Sequence, residues 1–151
     1  MEGIEVNSDS IRDGRLLTAC AADRQPNDPM GENISPEISW DDVNGAEYYA
    51  VLMIDRSADD WVHMYASDEW TTELPEGELE SDSYVGPYPP DGTDDHEYEI
   101  WVFALEEDPG DIELEMDAPG DFDEIRDRIA RYGIIAEGSV TALFAHGDEI
   151  S

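Results

Sequence analysis

The chain has 151 residues, 40% of them hydrophobic, which is enough for one domain (residues 1–151) with a single buried core. It carries 40 acidic residues against 7 basic ones, all of them arginine, so its formal net charge is -33 at pH 7. A surface this acidic argues against nucleic acid and anionic membranes as partners, because both attract basic proteins.

The density of negative charge is the unusual feature of this sequence. Area scaling predicts a folded surface of roughly 7,700 Å², hence one net negative charge per ~230 Å². Salt screens the repulsion between such charges over about 8 Å at physiological ionic strength and about 3 Å at 1 M. The composition resembles that of proteins from halophiles that accumulate salt, and an artificially supercharged variant is the alternative explanation.

The cellular compartment is indicated by signals that the sequence lacks. Cys20 is the single cysteine, so no intramolecular disulfide forms, and the N-terminus does not read as a secretion signal. No apolar run is long enough to cross a bilayer. We therefore expect a cytoplasmic protein without stable membrane insertion, and its aromatic and apolar runs argue against a disordered chain.

Several short apolar runs predict β-strands. Residues 37–40 (EISW) alternate apolar and polar side chains, as a half-buried strand does. Residues 47–55 (EYYAVLMID) are almost continuously apolar and end at Asp55, which predicts burial on both faces. Residues 61–65 (WVHMY) form an aromatic strand candidate with a period of two. One of its faces would carry Trp61, His63 and Tyr65, and the other Val62 and Met64.

Three later segments complete the predicted strands. Residues 98–105 (YEIWVFAL) are apolar on both sides, and residues 139–146 (SVTALFAH) read as a closing strand. Residues 111–116 (DIELEM) alternate strictly between apolar and acidic side chains. The inward side chains of this last segment would be Ile112, Leu114 and Met116.

One helix is clearly predicted, within residues 120–133 (GDFDEIRDRIARYG). Asp121 is the candidate N-cap, acidic residues follow in the first turn, arginines come late and Gly133 ends the helix. Its buried stripe would be Phe122, Ile125, Ile129 and Tyr132. Many short strands with one or two short helices, the clearest near the C-terminus, predict a mainly β fold, an antiparallel β-sandwich of two sheets.

Residues 84–98 (YVGPYPPDGTDDHEY) carry the strongest functional signal. Prolines cannot lie in a central strand, so this segment is a rigid connection that leads into the strand at residues 98–105. Such rigidity suits the rim of a preformed pocket, and Gly86 and Gly92 permit turns or the close approach of a ligand. A plain proline-rich turn is the alternative interpretation of these residues taken alone.

Four ordered motifs of the chain occur together in one known family. They are SDSIRDGR (residues 8–15), GENISPEISW (31–40), DRSADDWVH (55–63) and the segment 84–98, which is followed by VFAL (102–105). In the last segment the matching residues are Tyr84, Val85, Gly86, Pro89, Pro90, Gly92, Thr93, His96 and Tyr98. Residues 4–105 thereby resemble the phosphatidylethanolamine-binding protein family, also called the Raf kinase inhibitor protein family. The HGD of residues 146–148 is similar to its short prokaryotic members.

This resemblance implies a β-sandwich with a small pocket at one end that binds an anionic or phosphate-containing ligand. Family pocket residues map onto Asp55, His63, Gly86, Pro89, Pro90 and His96, with Arg56 and Tyr88 as further candidates. A histidine can donate one hydrogen bond to a phosphate oxygen while a carboxylate orients its other ring nitrogen. Two imidazoles could together hold one anion, with Asp55 setting tautomer and charge.

The turn after Asp55 departs from the family pattern. Arg56, Ser57 and Asp59 stand where the family's DPDAP motif has a proline, an aspartate and a second proline, so the rigid turn is lost or rebuilt. Arg56 could instead supply a bidentate phosphate contact. Glu97 stands where the family has an arginine after the pocket histidine.

Other classes of function have weaker support in the sequence. Asp55, His63 and His96 could form a metal triad of two histidines and one carboxylate, but no HxH, HExxH or paired-cysteine motif occurs. Cys20 lies in no nucleophile signature and GxSxG is absent, so we expect neither enzymatic activity nor a cofactor. The main alternative to small-anion binding is a protein-interaction or inhibitor module that recognises a phosphorylated or anionic partner through the pocket rim.

Concentrated salt should stabilise the folded protein. Screening weakens the repulsion among its excess carboxylates, which is stronger in the compact state than in the expanded unfolded chain. The Tm followed by circular dichroism should therefore rise steeply between low and molar KCl, and a flat response would remove the halophile interpretation.

Overall fold

Two β-sheets and one α-helix make up the fold in a computed structural model that describes residues 2–23, 30–69, 72–90, 92, 94–110 and 112–151. Thr93 and Asp111, named above, lie outside these residues. The strands are β1 (Glu2–Gly3), β2 (Val6–Asn7), β3 (Ile11–Arg12), β4 (Arg15–Leu16), β5 (Ile38–Trp40), β6 (Tyr48–Asp55), β7 (Trp61–Asp68), β8 (Glu73–Leu74), β9 (His96–Leu105) and β10 (Ile134–Phe144). A 3₁₀ turn covers Thr18–Cys20, and the helix α1 covers Phe122–Ala130.

The larger sheet has the strand order β3-β4-β10-β9-β6-β7, with β1 also paired to β10. Its four long strands pair antiparallel. The short strands β1 and β4 pair with β10 in parallel, an addition to the predicted antiparallel pattern. The smaller sheet, β2-β5-β8, is antiparallel throughout. The mainly β, two-sheet fold is as predicted.

The larger sheet is the middle layer of the molecule and is buried on both faces. The inner core, between the two sheets, includes Ile38, Trp40, Val51, Met53 and Ile100. The outer core, between the larger sheet and α1, includes Leu52, Ile54, Phe103, Ile125 and Ile129. The apolar runs of β6 and β9 therefore bury alternate side chains in two different cores, as their sequences predicted.

The helix follows its local sequence signals. Asp121 is the N-cap, and its side chain accepts a hydrogen bond from the Glu124 amide at 3.2 Å. Gly133 has a φ of +80°, which favours glycine and ends the helical segment as predicted. The predicted stripe is buried except for Tyr132, which lies half-buried after the last turn. None of the helices in the described residues is long and apolar enough to cross a membrane.

A β-bulge in β7 overturns the predicted alternation of residues 61–65. Met53 pairs with Met64 and Ile54 pairs with Val62, so His63 is an extra residue on its strand. Met64 consequently lies in the inner core and Val62 in the outer core. The predicted shared face of Val62 and Met64 is wrong, because one extra residue shifts the two-residue period of the strand.

Residues 112–116 form no strand, contrary to the prediction. Their side chains do alternate, since Ile112, Leu114 and Met116 pack half-buried against the outer core while Glu113 and Glu115 are exposed. The alternation therefore reflects side-chain burial alone, without backbone hydrogen bonds to a neighbouring strand. The closing strand predicted at residues 139–146 is present as β10, which begins earlier and ends at Phe144.

Asn33 fastens the proline-rich segment to the body of the protein. Its side-chain oxygen accepts a hydrogen bond from the Gly86 amide at 2.7 Å, and its side-chain nitrogen donates to the Tyr84 carbonyl at 3.2 Å. The Ala22 amide donates to the Pro87 carbonyl at 2.9 Å. Because three backbone groups of the segment are hydrogen-bonded to Asn33 and Ala22, it forms a fixed wall.

Gly86 should not tolerate even an alanine. A Cβ at this position would lie 2.3 Å from the Cys20 carbonyl oxygen and 2.7 Å from the Ala21 carbonyl carbon, so the backbone would have to move. We expect Gly86→Ala to lower the free energy of unfolding by about 2 kcal/mol or more in urea denaturation at molar KCl. Gly3→Ala is the matched control, since no atom lies within 4 Å of its added Cβ. Equal stability of the two variants would contradict this packing.

Candidate functional site

Three antiparallel strands bring the predicted site residues to one edge of the larger sheet. Strand β6 ends at Asp55, and its neighbours β7 and β9 begin at Trp61 and His96. In the ladder, Asp55 pairs with Tyr98 on one side and with Trp61 on the other. Because the end of one antiparallel strand lies beside the beginning of the next, residues far apart in sequence become neighbours.

A cavity of about 370 Å³ opens at this edge. It is lined by Ala22, Asp55, Ala58, Trp61, His63, Val85, Gly86, Tyr88, Pro89, Pro90, His96, Tyr98 and Asp117. All the site residues predicted from the sequence are in this set except Arg56. The chain has no lysine, and no arginine of its described residues lines the cavity.

Asp55 orients His96 at the base of the cavity. The Asp55 side chain is 4% exposed, and its Oδ2 lies 2.5 Å from Nδ1 of His96. Its Oδ1 accepts a hydrogen bond from the Ser57 amide at 2.8 Å. A carboxylate can only accept, so Nδ1 of His96 carries a proton. The other nitrogen, Nε2, then accepts a hydrogen bond when the ring is neutral and donates one when it is protonated.

His63 is held by Val85 instead of by a carboxylate. Its Nδ1 donates to the Val85 carbonyl at 2.7 Å, and its own carbonyl accepts from the Val85 amide at 2.7 Å. Burial lowers the pKa of His63 below its usual value, an effect that the Val85 carbonyl and the charges of Asp55 and Asp117 oppose. The ring is therefore neutral at pH 7, with Nε2 unprotonated.

Tyr98 joins the two histidines. Its ring centroid lies 5.5 Å from that of His63, edge on, and 6.3 Å from that of His96, in a stacked arrangement. The contact with His63 places the imidazole on the inner side of the sheet, where Tyr98 lies. Burial and the Asp55 charge raise the pKa of Tyr98 far above its usual value, so its hydroxyl stays protonated. Its position two residues after His96, on the same strand face, was the sequence signal for this lining residue.

Arg56 stabilises the turn after Asp55 and does not face the cavity. Its guanidinium bonds Glu99 at 2.9 Å and Asp60 at 3.1 Å, and lies 4.6 Å from the ring centroid of Phe122. The second Asp60 oxygen accepts a hydrogen bond from the Phe122 amide at 3.0 Å. Arg56 thus ties β9, the turn and the start of α1 together, which rebuilds the rigidity expected from the absent prolines. This placement gives no support to the hypothesis that Arg56 contacts a phosphate.

Asp117 is a lining residue that the sequence analysis did not identify. Its Oδ1 accepts a hydrogen bond from the Trp61 indole at 2.9 Å. Its amide donates to the Val62 carbonyl, and the Val62 amide donates to the Ala118 carbonyl, both at 2.9 Å. The connection between β9 and α1 therefore docks on the outer edge of β7. No local motif marks Asp117, because only this non-local docking brings it to the cavity.

The C-terminal segment contacts the rim from outside. Nδ1 of His146 donates to the Pro89 carbonyl at 3.0 Å, and the imidazole meets the Tyr88 ring edge on at 5.6 Å between centroids. His146 is half-buried behind the prolines.

The described residues do not support the metal or nucleophile alternatives. No group of three or more histidine, cysteine or acidic side chains in the described part of the chain could hold a metal ion. Burial raises the pKa of the Cys20 thiol to about 12, so the thiolate needed for nucleophilic attack is scarce at neutral pH.

The comparisons with known proteins agree with this architecture. The family profile described as phosphatidylethanolamine-binding protein matches residues 7–145. The crystal structure of YbcL from E. coli, described as a new member of the mammalian PEBP family, has a TM-score of 0.73 and 21% identity, covering 98% of this chain and 99% of YbcL. CT736 from Chlamydia trachomatis, described as a homologue of these binding proteins, has a TM-score of 0.66 and 18% identity, covering 96% and 99%. None of the curated protein sequences matches the chain.

Loss of Arg56 should loosen the turn after Asp55. We expect Arg56→Ala to lower the free energy of unfolding by about 1–2 kcal/mol, since it removes two partly exposed ion pairs and a cation–π contact. The measurement is urea denaturation. Arg12→Ala is the control, since it also removes one positive charge but breaks one exposed hydrogen bond, to the Ser151 carbonyl. If both variants lose equal stability, Arg56 does not stabilise the turn in this way.

Proposed function

The chain belongs to the phosphatidylethanolamine-binding protein family, and we propose that its cavity binds a small anionic or phosphorylated group. One observation carries the proposal: His63 and His96 border the same cavity, and Nδ1 of each is already engaged by the protein. When either ring is protonated, Nε2 is its remaining donor for a ligand oxygen.

The walls of the cavity support this proposal. Gly86, Pro89 and Pro90 form a rigid side, and Tyr98 holds both imidazoles at ring-contact distance. Rigid walls reduce the conformational entropy lost on binding. Apolar surroundings also strengthen a hydrogen bond between an imidazolium and an oxyanion.

The proposed binding is coupled to protonation. The protein has a net charge of -33, and the cavity contains two carboxylates, so an anion needs a positive charge inside the site. The neutral His63 ring offers only a lone pair at Nε2, which repels an oxyanion. Binding therefore requires the imidazolium, whose formation burial disfavours.

The affinity for a monoanion should rise as the pH falls. Dimethyl phosphate is a suitable probe because its charge does not change between about pH 8 and pH 5, so any change in affinity comes from the protein. Since burial lowers the pKa of His63 in the free protein and binding would raise it, the affinity should increase as the pH falls from the pKa of the bound form toward that of the free protein, and level off below it. Calorimetric titration in molar KCl measures this dependence.

Two histidine variants test which imidazole causes the pH dependence. His63→Gln should flatten the pH dependence, whereas His146→Gln should keep its slope, since His146 does not line the cavity. An affinity that does not change with pH in the unaltered protein would contradict the role of the imidazoles.

Recognition of a phosphorylated protein through the rim stays a prediction. A partner of that kind buries a surface far larger than the cavity. Chemical-shift mapping with phosphate, phosphoethanolamine and a phosphopeptide separates the two functions. Shifts confined to the surroundings of His63 and His96 support small-ligand binding, whereas wider shifts with the peptide alone support the partner hypothesis.

A further inference from the structure

The charge arrangement of the cavity points to a specificity-determining role for Asp117. We propose that its carboxylate makes the cavity select organic monoanions over dianions. This inference rests on the proposed function, because it concerns which anion the same cavity accepts.

The charged groups that line the cavity balance each other. Asp55 and Asp117 contribute two negative charges, and His63 and His96 contribute at most two positive ones. Both Asp55 oxygens are hydrogen-bonded within the protein, one of them to His96. Among the described residues that line the cavity, His63 is then the group that can oppose the Asp117 charge. A monoanion can be held by the imidazoles, whereas the second charge of a dianion meets no further cation among these described residues.

Asp117 is held in place on the cavity wall. Its amide and the Ala118 carbonyl bond the backbone of Val62, and its side chain accepts from the Trp61 indole. The Asp117 charge acts on His63, where it opposes the lowering of the imidazole pKa. The nearby guanidinium of Arg56 is engaged by Asp60 and Glu99, so it does not neutralise the cavity.

The size and walls of the cavity indicate the rest of the ligand. At about 370 Å³ it is larger than an inorganic phosphate needs, and Ala22, Ala58, Val85 and Pro89 make much of its lining apolar. An anion held at the imidazoles therefore leaves room for an apolar substituent. A phosphodiester, with one negative charge and two organic arms, fits these conditions better than a phosphomonoester dianion.

Two small probes test the charge selection. At about pH 7 dimethyl phosphate is a monoanion, and methyl phosphate is mainly a dianion because its second pKa is about 6. The unaltered protein should bind dimethyl phosphate more tightly in calorimetric titration. Asp117→Asn removes one charge but keeps an acceptor for Trp61, and asparagine tolerates the left-handed backbone at this position, where φ is 56°.

The size of the effect follows from the charge of the probe. Because binding requires a protonated His63, Asp117 attracts the proton taken up while it repels the ligand. These two effects nearly cancel for a monoanion and leave a net repulsion for a dianion. We expect Asp117→Asn to leave the affinity for dimethyl phosphate nearly unchanged and to bind methyl phosphate about threefold more tightly. Asp117→Gly, which also suits a positive φ, is the second variant if the asparagine variant does not fold.

Glu115→Gln is the matched control. Glu115 is exposed, as Asp117 is, and lies two residues earlier, but it does not line this cavity, so its loss removes the same net charge outside the site. An equal gain in this control, or equal gains for the two probes in Asp117→Asn, would overturn the role of Asp117. If the unaltered protein binds neither probe at any pH, the proposed function fails and the inference with it. Binding of both probes with no preference overturns the inference alone.

Discussion

The contact between the buried Asp55 carboxylate and Nδ1 of His96 is the interaction on which the site depends. It exists because the ladder pairs Asp55 with Tyr98, which places His96 on the same sheet face just beyond the strand pair. A carboxylate whose side chain is 4% exposed is costly to bury unless hydrogen-bonded, and the Ser57 amide satisfies its other oxygen. The same hydrogen bond sets the tautomer of His96, so it affects both the stability of the fold and the chemistry of the ligand site.

The few cations of this acidic protein connect segments of its fold. Arg15 bonds Asp95 and Asp148 and so joins the segment before β9 to the C-terminal segment. Arg126 bonds both carboxylate oxygens of Glu137, at 3.0 and 2.9 Å, and links α1 to β10. With Arg56 engaged in the turn after Asp55, the imidazoles are the source of positive charge among the described residues that line the cavity. This division explains why proton uptake has a central place in the proposed chemistry.

Much of the fold and most of the candidate site could be predicted from the sequence. The buried strands β6 and β9 and the capped helix α1 arise from hydrophobic periodicity and capping, which act over short stretches of chain. The spacing of four motifs allowed Asp55, His63 and His96 to be placed in one pocket. The strand predicted at residues 111–116 was wrong because alternation of burial does not require a pairing partner, and the described residues 112–116 have no ladder.

The sequence by itself determined the acidity, the mainly β class and the predicted residues that line the cavity, including Asp55, His63 and His96. Only the tertiary structure decided how they act there. Pairing with β6 creates the bulge at His63, ion pairs hold Arg56 over Phe122 and away from the cavity, and docking on the edge of β7 brings Asp117 to the wall. Each of these outcomes depends on backbone hydrogen bonds or ion pairs between segments distant in sequence, and local patterns contain no information about such partners.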